Sequence, residues 1–338
     1  MGITIVVGGQ WGSEGKGKVA HWYAKANNIQ YVVRVGGSNS GHTVIDSKNN
    51  RHIFRMLPTS AIEKNVVCVL PAGTYIDLDI LKQEISNSGI QNKHLKIHPN
   101  AVIITDEFKN LEINNNLSKS IGSTGSGTGA AVIARINRNK GIQFAKDVSF
   151  LNQYICDTTE LLREVLDKDQ NVLVEGTQGY GLSVLHSNTY PFVTSRDTTA
   201  AGFLSETGLS PLDVSNIIMV IRSYPIRVGG NSGPLPNEIT WSDVTKKSGG
   251  QRELLEFTSV TNKVRRVAMF DSEIVKKAIA VNKPTIIVLN HCDYFDAACY
   301  DSKNISATLK SYIFAIQKQI GKIDYIGTSE RHILKNGL

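Results

Sequence analysis

The turn Gly8-Gly9-Gln10-Trp11-Gly12-Ser13-Glu14-Gly15-Lys16-Gly17-Lys18 puts five glycines and two lysines into eleven residues. Glycines let successive backbone N–H groups turn inward, and a helix N-terminus adds partial positive charge. The two together form a phosphate cradle. The spacing is not that of a standard P-loop, which sets four residues between its glycine and Gly-Lys and follows the lysine with Ser or Thr. Here five residues separate Gly9 from Gly15, and Gly17 follows Lys16.

Four other polar segments carry chemistry. Val35-Gly36-Gly37-Ser38-Asn39-Ser40-Gly41-His42-Thr43 brings a histidine to the end of a glycine-rich loop, and an imidazole titrates close enough to neutrality to donate a proton. Ile121-Gly122-Ser123-Thr124-Gly125-Ser126-Gly127-Thr128-Gly129 alternates hydroxyls with glycines, which suits a monophosphate held by N–H and O–H donors. Gln178, in Glu175-Gly176-Thr177-Gln178-Gly179, can donate and accept at once, as a purine edge requires. Thr258-Ser259-Val260-Thr261-Asn262-Lys263-Val264-Arg265-Arg266 combines hydroxyls, an amide and cations in a way that suits a dicarboxylate.

These segments need a scaffold. Strand-like apolar runs recur at Ile3–Val7, Tyr31–Val35, Val66–Leu70, Val172–Glu175, Ile217–Ile221, Thr285–Leu289 and Ile323–Ile326. Helix-like stretches fall at Val19–Ala26, Asp77–Ser86, Thr158–Asp167, Asp271–Val281 and Ser306–Ile320. The alternation predicts an α/β fold, a large mainly parallel sheet flanked by helices. In such sheets ligands bind beyond the carboxyl ends of the strands, where the glycine-rich loops fall. No linker divides the chain, so a single domain over 1–338 is expected, with a helical subdomain at about 90–170.

Composition narrows the classes. A 338-residue chain with 41% hydrophobic residues can bury a large core. The apolar runs are strand-length, too short to span a bilayer, and no signal-peptide pattern opens the chain, so no membrane partner and a cytoplasmic location are expected. Net charge is +7, but the cations are scattered without interleaved aromatics. Small phosphorylated substrates explain the excess, and no nucleic-acid partner is expected. Cys68, Cys156, Cys292 and Cys299 have no metal-ligand spacing and read as free thiols.

The first turn resembles the Gln-Trp-Gly-Asp-Glu-Gly-Lys-Gly-Lys loop of adenylosuccinate synthetases, with Ser13 where that family carries its catalytic aspartate. The likeness runs from Gly8 to about Ser329 and implies a P-loop-NTPase-like sheet with helical insertions. It implies a nucleoside triphosphate at Ser13, Glu14, Gly15, Lys16 and Gly17, with Ser13 and Lys16 at catalytic places. The segment ending in His42 is similar to the family's Asn-Ala-Gly-His-Thr. That similarity implies His42 acting on the transferring phosphoryl group, Gly41 and Thr43 at the triphosphate, and Asn39 at the purine monophosphate. Ser38, where the family has a histidine, is implied beside it at the same monophosphate. Magnesium is implied at Ser13 and the Gly41 carbonyl. Thr124, Gln178 and Thr194 (in Thr189-Tyr190-Pro191-Phe192-Val193-Thr194-Ser195) match monophosphate ligands. The family's arginine from the neighbouring subunit matches Arg138, with Arg135 as the alternative, and implies a homodimer. The aspartate loop falls on Thr258, Ser259, Val260, Thr261, Lys263 and Arg265, with Lys263 replacing an arginine. Asn290 and Asp293 match the base-recognition segment of the triphosphate site. His291 replaces a lysine there and Gly327-Thr328-Ser329 is a shifted Ser-Thr-Gly, so the co-substrate is ATP or GTP.

Ser13 decides the expected substrate. A serine hydroxyl is far too weak an acid to replace a carboxylate as base near pH 7, yet it is small and neutral and leaves room for a 2-amino group. Loss of this aspartate marks the phage 2-aminoadenylosuccinate synthetases, which act on guanine monophosphates; a phage origin would make the location the host cytoplasm. The expected reaction joins L-aspartate to C6 of dGMP or GMP, driven by ATP or GTP. Adenylosuccinate synthesis from IMP is the alternative, and a non-catalytic nucleotide-binding homologue the reading from another class.

Overall fold

The structure is a computed structural model and describes residues 2–258, 263–302 and 304–338. Its centre is a nine-stranded sheet. In chain order the strands are β1 (Ile3–Gly8), β2 (Tyr31–Arg34), β3 (Val67–Leu70), β4 (Leu95–Ile97), β5 (Val172–Glu175), β6 (Val214–Arg222), β7 (Ile286–Asn290), β8 (Tyr325–Gly327) and β9 (Ile333–Lys335). Their order across the sheet is β9-β8-β7-β6-β1-β5-β2-β3-β4. All pairings are parallel except that of β8 with β9.

All seven predicted strands lie in this sheet, Val172–Glu175 with the predicted bounds and the others with ends shifted by no more than three residues. Leu95–Ile97 and Ile333–Lys335, which the sequence reading did not identify, are the two edges. Three residues are too few to display a period. The interior strands are apolar along most of their length because both faces are covered. Successive residues of β1 alternate between two cores: Ile3, Ile5 and Val7 pack with Val174 and Leu289, whereas Val6 packs with Val32, Leu173 and Ile218.

The predicted helices start where their caps place them. Asp77, Asp271 and Ser306 are N-caps outside helices Leu78–Ser88, Ser272–Asn282 and Ala307–Ile320, each accepting a backbone N–H. Thr158–Asp167 has the predicted bounds, capped by Asp157. The first helix starts three residues earlier than predicted, at Lys16, directly out of the glycine turn. Between residues 90 and 170 the chain forms two short strands and helices at Asp106–Asn114, Leu117–Ser120, Thr128–Ile136 and Thr158–Asp167. Here Phe108, Ala131 and Val132 build a small apolar cluster with Tyr75. A three-stranded antiparallel sheet, Ile226–Arg227, Arg266–Ala268 and Glu238–Ile239 in spatial order, carries two arginines beside the main sheet. Cys68, Cys292 and Cys299 are buried free thiols and Cys156 is partly buried. No described helix is long and apolar enough to cross a membrane.

Candidate active site

The chain reverses direction across the sheet around β1, whose neighbours are β5 and β6. The crevice beyond the carboxyl ends at such a switch point is the expected ligand site. There β1 ends in the glycine turn. Gly12 (φ +90°), Ser13 (φ 57°) and Gly15 (φ 88°) all adopt left-handed backbone, which is why glycine recurs here. The turn is wound around Glu14. Its fully buried carboxylate accepts from the backbone N–H of Gln10 (3.2 Å) and Gly12 (2.8 Å) and from Lys16 Nζ (2.6 Å). A Cβ on Gly8 would stand 2.6 Å from that carboxylate. The Glu14 carboxylate therefore holds the turn from inside. Asn290, at the end of β7, donates from Nδ2 to the Glu14 carbonyl (2.8 Å) and leaves Oδ1 buried without a partner.

His42 opens the hairpin His42–Ile45/Arg51–Phe54. Its Nδ1 lies 2.6 Å from Glu175 Oε1, which also accepts from Arg34 Nη1 at 2.6 Å. Arg34 also approaches Nδ1 closely. A guanidinium cannot accept, so with Nδ1–H donating to Glu175 that approach is a steric neighbour contact. Oε2 of Glu175 accepts from the Thr59 backbone N–H (2.9 Å) and hydroxyl (2.7 Å), and the hydroxyl also lies 2.9 Å from the Gly17 carbonyl. Burial, then the Arg34 charge, lowers the His42 pKa to about 3, so the ring is neutral at pH 7. Burial alone would raise Glu175, but the His42 hydrogen bond and the Arg34 charge override it and hold the carboxyl at about 2.

On the other side of β1, Ser13 is exposed, and its Oγ accepts from Arg265 Nη1. Its carbonyl accepts from Arg222 Nη1 at 2.9 Å. Arg222, fully buried at the end of β6, pairs with Glu256 at 2.5 Å. Deeper along the same face, burial raises Asp293 to about 7 and lowers Lys18 to about 8, each offset by the other's charge. Lys18 Nζ donates to the Ser329 carbonyl (2.9 Å), so the Gly327-Thr328-Ser329 segment does reach Asp293's surroundings. His291 lies against the glycine turn, its Nε2 3.6 Å from where a Cβ on Gly15 would stand and its ring 5.0 Å from that of Tyr294, and burial with the Arg222 charge pushes it well below the ordinary histidine range. Lys18 also lines a second cavity of about 410 Å³ with Trp22, Val44 and Arg331.

The main cavity, about 420 Å³, is lined by Asn39, Thr124, Gln178 and Thr194, together with Trp11 and Arg227. Four sequence-predicted monophosphate residues from four separate loops thus meet in one place. Ser38 does not line it. It is fully buried with Oγ unpartnered, and its carbonyl accepts from Arg55 Nε (2.7 Å). Arg138, exposed after the Thr128–Ile136 helix, lies outside the cavity of its own chain, and Arg135 donates to the Ala72 carbonyl at 2.7 Å. The two charged lining residues, Arg227 and Glu112, went unread in the sequence. Glu112 is buried, and its carboxylate accepts from the N–H groups of Gly127 (3.0 Å) and Gly129 (2.7 Å), at the start of that helix.

The sequence model of adenylosuccinate synthetase matches residues 5–149 and 143–300. The curated adenylosuccinate synthetase of Methanococcus vannielii is 37% identical over 328 residues, covering 95% of this chain and 94% of that one. The chain belongs to the adenylosuccinate synthetase family. The Methanocaldococcus jannaschii synthetase is 36% identical over 94% of this chain and 91% of its own. Among solved structures, the chain resembles the cyanophage S-2L succinoaminodeoxyadenylate synthetase bound to dGMP and dATP, at 28% identity and a TM-score of 0.82 over 99% of this chain and 95% of that one. The fully ligated Plasmodium falciparum adenylosuccinate synthetase shares the fold at 20% identity, with a TM-score of 0.85 over 99% and 100% of the two chains. The chain is therefore a carbon–nitrogen ligase by family.

The remaining predicted positions divide. Gly17 and Thr43 flank His42's surroundings, Gly17 through Thr59 and Thr43 in the hairpin. Thr258 and Lys263 close a loop on each other, Thr258 N–H to the Lys263 carbonyl and Lys263 N–H to Thr258 Oγ1, both 2.9 Å. Ser259, Val260 and Thr261 lie outside the described residues. Among the described residues no group of three His, Cys, Asp or Glu is placed to hold a metal. Of the two residues predicted at magnesium, Ser13 and Gly41, the Ser13 hydroxyl already accepts from Arg265, and Glu14 is engaged inside the turn. A magnesium ion here would take most of its ligands from substrate phosphates and water, since no protein carboxylate is free in the turn.

Proposed function

We propose that this chain joins L-aspartate to C6 of dGMP or GMP, giving a 2-aminoadenylosuccinate nucleotide, with a purine nucleoside triphosphate as energy source. The observation that carries the reading is Ser13. At the tip of the phosphate turn stands a short neutral side chain hydrogen-bonded to Arg265, and Glu14 beside it is fully committed to the turn. The likeness to a cyanophage enzyme bound to dGMP and dATP supports it.

In this reading the purine monophosphate occupies the 420 Å³ cavity, with Gln178 on the base, Asn39 on the nucleotide, and Thr124 and Thr194 on its phosphate. The triphosphate lies along the glycine turn, with its base toward Asp293 and Asn290. The purine N1 proton leaves to water or to a substrate phosphate oxygen. O6 then attacks the γ-phosphorus, so an O6–P bond forms as the bond to the diphosphate breaks. The amine of L-aspartate attacks C6, inorganic phosphate departs with O6, and the nitrogen loses its proton. Magnesium, entering with the triphosphate, supplies charge neutralisation at the phosphates. Lys16 and the inward N–H groups hold the transferring phosphoryl group. His42, neutral in the free protein, is fixed through Nδ1 by Glu175, which leaves Nε2 to take up and donate a proton once polyanionic substrates raise its affinity. Thr258, Lys263 and Arg265, with Ser259, Val260 and Thr261, bind the dicarboxylate.

Among the described residues, the cavity is lined by a single cation, Arg227, and by one carboxylate, Glu112. A dianionic phosphate calls for more positive charge, and Arg138 of a second copy in a homodimer would supply it. A second reading, adenylosuccinate formation from IMP, rests on the 36–37% identity to archaeal synthetases. Turnover measured with IMP, dIMP, GMP and dGMP, each with ATP and GTP, separates the two. The proposal fails if IMP or dIMP has the highest kcat/KM.

A further inference from the structure

Two guanidiniums converge on Ser13, and among the described residues Glu256 is the one carboxylate that pairs with both. Arg222 is matched by Glu256 at 2.5 Å. Arg265 is left with the far edge of the same carboxylate, its Nε 3.7 Å from Glu256 Oε2, and donates from Nε to the Phe257 carbonyl at 2.9 Å. One Glu256 charge serves two arginines, so one positive charge remains uncompensated. The Nη1 end of Arg265 carries it and is held by a neutral group, the Ser13 hydroxyl.

We propose that Ser13 is a positioning residue for Arg265: its uncharged oxygen orients the guanidinium without neutralising it, keeping the cation available to a carboxylate of L-aspartate. The inference rests on the reading of Arg265 as an aspartate ligand. A carboxylate at position 13 would turn the present contact, in which only the guanidinium is charged, into an ion pair with Arg265, and compete with the substrate. Position 13 therefore sets aspartate affinity as well as the purine accepted. The local backbone makes the test clean. Ser13 has φ 57°, a conformation in which Asp and Asn are the best-tolerated residues after glycine, so both replacements fit the turn.

The experiment compares Ser13→Asp with the isosteric, uncharged Ser13→Asn and with Arg265→Ala in the full-length protein. The KM for L-aspartate is measured at saturating triphosphate with whichever purine monophosphate the wild type turns over fastest, and thermal unfolding confirms that each variant is folded. Expected is a rise in aspartate KM of about tenfold or more in Ser13→Asp over Ser13→Asn, with triphosphate KM moving together in the two variants, and a lessening of the difference at high salt as the ion pair is screened. A merely structural role would lower kcat in both variants and leave their aspartate KM values equal. Equal values, with Arg265→Ala still raising aspartate KM, would overturn the inference alone. Should Arg265→Ala leave aspartate KM unchanged, the parent reading of Arg265 fails and this inference with it. If Ser13→Asp does not fold, Ser13→Gly, which the backbone also accommodates, is expected to raise aspartate KM severalfold by releasing Nη1; no change there refutes the positioning role.

Discussion

Replacing Glu175 with glutamine tests the buried network behind His42. The carboxylate presents two oxygens to the donors His42 Nδ1, Arg34 Nη1 and the N–H and hydroxyl of Thr59, and it balances an arginine that is itself 1% exposed. An amide supplies one acceptor and turns an NH₂ group toward either Arg34 with His42 or toward Thr59. Hydrogen bonds are lost on one side, and the Arg34 charge is left buried without a counter-ion. Removing one partner of a buried pair in this way costs about 3–5 kcal/mol. Chemical denaturation of Glu175→Gln should show that loss at pH 7, with kcat reduced about a hundredfold as His42 loses its fixed tautomer. The acid dependence provides an independent readout. Glu175 falls from an ordinary 4.5 to about 2 on folding, so it contributes stability above about pH 4.5 that is lost as pH falls towards 2. His42 falls from 6.5 to about 3, so its neutral burial contributes above pH 6.5 and is lost as pH falls towards 3. The variant should lose the component between pH 4.5 and 2. A variant with wild-type stability and wild-type kcat would refute the network as drawn.

Three further outcomes follow from the same geometry. His42→Ala should lower kcat about a hundredfold or more while leaving purine monophosphate affinity within a fewfold of wild type, as read by steady-state kinetics and calorimetry. Arg138→Ala should raise the KM for the monophosphate far more than that for aspartate, by a contact worth about 2 kcal/mol; mixing it with inactive His42→Ala should restore activity in hybrid dimers if the arginine acts across the interface. Glu112→Gln preserves shape but removes a negative charge from the monophosphate cavity, and should lower the monophosphate KM severalfold at low salt; an unchanged or raised KM would show that its charge is not opposing the phosphate.

The sheet was legible because its interior strands are apolar up to their last residue or two, a pattern that survives without any partner information. The site was legible where glycine, hydroxyl and amide residues cluster in loops, and Asn39, Thr124, Gln178 and Thr194 meet in the cavity accordingly. Glu112 was hidden for a different reason. A glutamate inside an amphipathic stretch reads as solvated surface, and only the fold brings it against the N–H groups of a helix seventeen residues on.

The most instructive omission lies at the ends of the strands, where of four such residues only Asn290 was read as a site residue. Tyr-Val-Val-Arg34, Val-Leu-Val-Glu175, Met-Val-Ile-Arg222 and Val-Leu-Asn290 each close an apolar run with one charged or amide residue. In the sheet Arg34 and Glu175 are register partners on adjacent parallel strands, as are Arg222 and Asn290. All four are essentially fully buried. A charge in that position is expensive to bury unless it is paired, so its presence at the carboxyl end of an apolar parallel strand is itself a signal of a built site. Read that way, the four positions locate the supports of the site before any loop motif is considered: Glu175 and Arg34 behind His42, Arg222 under Ser13, and Asn290 under the phosphate turn. The loops name the ligands, and the strand ends fix where those ligands can act.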